Sequence, residues 1–107
     1  MLLHQQMLSL EKDYVHEHAL EDGFQGTWAH ITFSLMWVEE HFGVNPKVSV
    51  LTEEAITQFF VWMDQELGYS AKTRSSIASA LGDFLAFAYK REYLEHDLSE
   101  YIPAIGA

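Results

Sequence analysis

The stretch from Gly68 to Pro103, GYSAKTRSSIASALGDFLAFAYKREYLEHDLSEYIP, decides how this chain folds. Ser70 near its start suits a helix cap, because a serine hydroxyl accepts from the N–H groups left free in a first turn. Behind it Ile77, Leu81, Phe84 and Ala88 recur at the 4, 3, 4 spacing of one helical face. Lys72, Ser75, Ser76 and Ser79 fall opposite, small or basic groups over which another surface can come close. Lys90 and Arg91 close the helix, where cations suit the negative end of its dipole. A turn, a short helix near Leu98 and a stop at Pro103 follow.

Three further amphipathic segments lie upstream, and together they predict an all-α four-helix bundle with a short C-terminal fifth helix. The first runs from about His4 to Ala19, with Leu3, Met7, Leu10 and Tyr14 on one stripe. Gly23 and Gly26 punctuate a loop, and Thr27 or a neighbour starts the second helix. Its stripe is Trp28, Ile31, Leu35, Val38 and Phe42, and Gly43 with the Asn45-Pro46 turn stops it. Thr52 caps the third, with Glu53 and Glu54 in its first turn. That helix should bury Ile56, Phe59, Phe60, Met63 and Leu67 before Gly68 ends it. Lys47 to Leu51 has some strand flavour but is too short to matter. A shift of 46 residues lays Thr27, Ile31, Leu35 and Val38 on Thr73, Ile77, Leu81 and Phe84, each copy preceded by a Gly-aromatic pair.

At 107 residues the chain reads as one domain over 1–107. A hydrophobic content of 49% with 14% aromatics excludes a disordered acidic tail. The absence of cysteine removes disulfide frames and thiolate metal sites. No apolar run approaches the roughly 20 residues that cross a bilayer, and the start lacks a signal peptide's basic and apolar regions. A soluble, cytoplasmic protein is the expectation.

Net charge is -10, unusual for a nucleic-acid binder. Its distribution is uneven. Residues 1–67 hold only Lys12 and Lys47 against eleven carboxylates, whereas 68–91 hold Lys72, Arg74, Lys90 and Arg91 against Asp83 alone. Residues 92–107 return to acid, with Glu92, Glu95, Asp97 and Glu100.

Chemistry-bearing patterns are missing. His16 and His18 are two apart and would point to different sides of a helix, whereas a helical metal pair needs spacing four and a third ligand. Glu39-Glu40 and Glu53-Glu54 sit at helix ends as solvated or dipole-facing charges. There is no glycine-rich phosphate loop and no nucleophile elbow. Ser75, Ser76 and Ser79 have no activating base. No catalytic, cofactor or metal residue is assigned, and no small-molecule substrate or membrane partner is expected.

The order of these features resembles the N-terminal core-binding domain of tyrosine recombinases, the phage integrase family. The resemblance lies in Ser70, Thr73, Leu81, Phe84, Phe87, Asp97-Leu98-Ser99 and Ile102-Pro103, with Leu51-Thr52-Glu53-Glu54, Ile56 and Phe59 upstream. It implies a SAM-like helical domain that clamps one face of duplex DNA and works beside other recombinase protomers. The family's catalytic Arg, His-x-x-Arg box and nucleophilic Tyr belong to a separate C-terminal domain. No matching motif occurs in this chain, so none of its tyrosines takes that role, and the parent protein would do the breaking and rejoining. On this reading DNA contacts fall to Lys72, Arg74, Ser75, Ser76, Ser79, Lys90 and Arg91, with Thr27, His30 and Ser34 as weaker candidates on the second helix. Asp83 interrupts the track. The rival is an acidic helical protein-interaction module without a nucleic-acid role, using exposed Trp37, Trp62 or Tyr93 as its patch.

Overall fold

The computed structural model describes residues 4–105, and every regular element in it is helical. In chain order these are α1 (Met7–His18), α2 (Phe24–Phe42), α3 (Glu53–Gln65) and α4 (Ala71–Lys90). Two 3-10 turns lie at Val48–Val50 and Leu98–Tyr101, and the second stands where a short fifth helix was expected. The bundle is arranged around α4, which touches α1, α2, α3 and the C-terminal turn. None of the helices described is long and apolar enough to cross a membrane.

Local chemistry explains each boundary. The expected start of α1 at His4 is three residues early, and Leu3 lies outside the described residues. Residues 5–7 instead pair with the chain around Pro46. Val48 N–H donates to Gln5 O at 2.9 Å, and Met7 N–H donates to Pro46 O at 2.7 Å. With its own side chain offering no cap, α1 borrows one from Asn45, whose Oδ1 accepts from Leu8 N–H at 3.1 Å. The helix α2 starts at Phe24 rather than Thr27, immediately after Gly23, whose φ of 78° is left-handed. Thr52 and Ser70 cap α3 and α4 as read, their hydroxyls accepting from Ala55 N–H at 3.1 Å and Thr73 N–H at 3.2 Å. At the far end of α4, Tyr93 N–H reaches back to Ala88 O at 2.8 Å, with Glu92 left-handed at φ 65°. This is a Schellman-type stop, built here on a glutamate instead of the usual glycine.

Two aromatic clusters share α2 as their common wall. On one side Tyr14, Phe24 and Trp28 stack and meet Phe84 and Phe87 edge-on or tilted, with Tyr14–Phe84 centroids at 5.4 Å. On the other, Phe33 and Trp37 of α2 pack against Phe59 and Trp62 of α3. Offset and edge-to-face pairs of this kind add to the burial they accompany. Leu81 borders a small void with Leu35, Val38 and Phe59. Phe84 turns the other way, toward Tyr14 and Trp28.

Two stripe residues fall outside the core. Phe42 is 46% exposed because α2 ends there, and Leu67 is 37% exposed because α3 stops at Gln65. The proposed repeat has matching inward faces, with Ile31, Leu35 and Val38 buried like Ile77, Leu81 and Phe84. Their entries differ. Gly23 abuts α2 directly, whereas Gly68 stands two residues before the Ser70 cap.

One carboxylate is out of place energetically. Glu11 on α1 is half-buried, and burial first, then repulsion from Glu39 of α2, raise its carboxyl above the ordinary 4.5. A raised folded-state value means the folded chain holds that proton more tightly. The contribution to stability is therefore present below the ordinary value and lost as pH rises through the folded one. Glu11→Gln should accordingly raise Tm at about pH 7, with the gain fading as the acid range is entered. An equal gain at both ends of a pH series of melts would show that charge is not the cause.

Candidate nucleic-acid interface

The structure splits the seven sequence-predicted contacts into two groups. Lys72, Ser75, Ser76 and Ser79 all lie exposed on one face of α4, opposite the buried Ile77, Leu81 and Phe84. Spacings of 3 and 4 keep them in a row. The Ser76 hydroxyl donates to Lys72 O at 3.2 Å, which holds that side chain close to the helix and keeps the face low. Lys72 is the second residue of α4, at the positive end of its dipole, so charge and backbone both favour an anion there.

The two arginines are engaged by the protein itself. Arg74 Nε donates to Tyr69 O at 3.1 Å, and its Nη2 stands 3.9 Å from Asp64 of α3. Its side chain is only 24% exposed. Arg91 reaches back to α1, with Nη1 at 3.1 Å from Asp13 and Nη2 at 2.9 Å from Glu17. Its guanidinium also covers the Phe87 ring at 4.9 Å. Arg91 thus pins the end of α4 to α1. Lys90 is exposed, but the cleft it borders also holds Glu21, Asp22 and Asp83.

Sequence reasoning read Arg91 as a helix-closing cation and a DNA contact, and missed its partners. The signal was present: Asp13 and Glu17 are four apart, so one face of α1 carries two carboxylates in need of a cation. Tyr93 joins the same group, its hydroxyl 3.4 Å from Asp13, and burial followed by that carboxylate raises the phenol above 10.0.

On α2, Ser34 is 2% exposed and its hydroxyl donates to His30 O at 3.0 Å, which removes it from any surface role. Thr27 and His30 are half-buried. The aromatic patch of the interaction-module reading is also altered. Trp37 and Tyr93 are core residues, 3% and 9% exposed, and Trp62 is half-buried against Phe33 and Phe59.

Comparisons of the chain with protein-family models, with curated proteins and with solved structures found no match.

Proposed function

We propose that this domain is the DNA-holding half of a recombinase-type clamp, SAM-like in kind, positioning duplex DNA for a separate catalytic domain and neighbouring protomers. The observation that supports it is the row Lys72, Ser75, Ser76 and Ser79 on the outward face of α4, exposed along its first nine residues with no carboxylate among them. Short hydroxyl side chains and one lysine at a helix start suit phosphate contact, which positions DNA without reading its sequence. The remaining acidic surface repels phosphate, so the domain by itself holds DNA weakly.

Binding of the full chain to a duplex at low salt tests this. Lys72→Ala should weaken binding alike for unrelated sequences and flatten its salt dependence by about one counterion. Lys12→Ala with Lys47→Ala should do much less. Equal losses from both sets would place the contact elsewhere.

The acidic interaction module is the second reading, and the engagement of Arg74 and Arg91 by Asp64, Asp13 and Glu17 favours it. If no lysine substitution changes DNA binding, that reading takes over.

A further inference from the structure

A second site lies at the opposite end of α4 from Lys72. The end of α1, the loop after it, the start of α2 and the last turns of α4 enclose a cleft of about 400 Å³. That volume falls within the range of small-ligand sites. Tyr14, Phe24 and Phe87 form its aromatic walls, and Glu21, Asp22 and Asp83 supply carboxylates from two separate segments. Lys90 is the only lysine or arginine in the lining, and His18 Nδ1 stands 3.0 Å from Glu21 there, so three carboxylates still exceed the positive charge.

The Tyr14 hydroxyl is the feature that points to a ligand. Tyr14 is 3% exposed, and its hydroxyl makes no hydrogen bond within the described residues. It is nonetheless not sealed in, since it is not among the buried unpartnered polar atoms, and its residue lines the cleft. A buried phenol ordinarily finds a partner. Here the open valence belongs to a residue that lines the cleft. Burial, then the charges of Asp83 and Glu21, raise this phenol above 10.0, so it stays protonated and both carboxylates act on the same point.

We propose that this cleft binds an alkylammonium group, presented either by a lysine side chain of a partner protein or by a free polyamine. Asp83 and Glu21 neutralise the ammonium, and the Tyr14 oxygen accepts one of its N–H bonds. Phe24 and Phe87 cover the methylene stem and offer ring faces to the charge. A metal ion fits less well. Among the described residues no three metal-ligating side chains converge, and here the carboxylates are spread around an aromatic floor. The inference is independent of the DNA reading, because Lys72, Ser75, Ser76 and Ser79 are not part of the cleft.

The test is an NMR titration of the full chain with spermidine and, separately, with an end-blocked trilysine peptide of equal charge. Saturable shifts are expected at Tyr14, Phe24 and Phe87 with at least one of the two. Asp83→Asn combined with Glu21→Gln should weaken that binding about tenfold or more, the factor a charge-assisted hydrogen bond is worth. Tyr14→Phe should weaken it severalfold while leaving Tm unchanged or higher, since no protein partner loses its bond. This single variant decides the matter if the double variant fails to fold. Tighter binding of the peptide assigns the site to a protein side chain, and tighter binding of spermidine assigns it to a free polyamine. The proposal is overturned if neither probe saturates, or if Tyr14→Phe leaves affinity intact. It also falls if the shifts appear equally around Glu53 and Glu54, which would mean diffuse counterion binding.

Discussion

Phe84→Ala should remove about 3–5 kcal/mol of folding free energy, the usual cost of deleting a buried phenylalanine ring. Phe84 is 0% exposed and sits at the middle of α4, where it meets Tyr14 edge-on at 5.4 Å and Trp28 at 6.4 Å. Those neighbours are themselves rings held by further rings, so the site cannot collapse to fill the space. Small domains hold only about 5–15 kcal/mol in total, and the variant would stand near the edge of unfolding. Urea titration measures this, and the slope m should be unchanged, since the unfolded chain exposes nearly the same surface. A loss below about 1 kcal/mol would show that the aromatic cluster is not the core that its geometry describes.

Gly43→Ala should be the second large effect, about 1–3 kcal/mol, and its cause is of another kind. Gly43 ends α2 with φ 97° and ψ 168°, a region open essentially to glycine alone. A Cβ there would meet nothing within 4 Å, so the whole cost is backbone strain with no packing component. Gly26 gives an internal control within the same helix. It too has open space around an added Cβ, but its φ is not left-handed. Gly26→Ala should therefore stabilise the protein, by up to about 1 kcal/mol. Thermal melts of the two variants should move in opposite directions. If Gly43→Ala also stabilises, the α2 end relaxes to another conformation at little cost.

The sequence made the four helices and both side-chain caps legible, because these depend on neighbours three or four residues away. Ser70, Thr52 and the buried row Ile77, Leu81, Phe84 and Ala88 are all local statements. What escaped was long-range. The start of α1 is set by Pro46 and Asn45, almost forty residues downstream. Arg91 meets Asp13 across 78 positions, a contact that periodicity cannot reveal. The candidate face divides the same way. Exposure of Lys72, Ser75, Ser76 and Ser79 followed from the helical period, whereas the engagement of Arg74 and Arg91 depended on which acids the fold brought near.

The central position of α4 also bears on the thermodynamics of whatever docks on it. Its inward side is locked among the other three helices, so the backbone beneath Ser75, Ser76 and Ser79 is already ordered. Serine side chains have few rotamers to lose, and Ser76 is already tied to Lys72 O. A partner settling on this strip would meet little entropic resistance from the protein, and only Lys72 would surrender much freedom. Affinity there would be governed by desolvation and by the partner's own ordering, so a stiff partner such as a duplex would be favoured over a flexible chain.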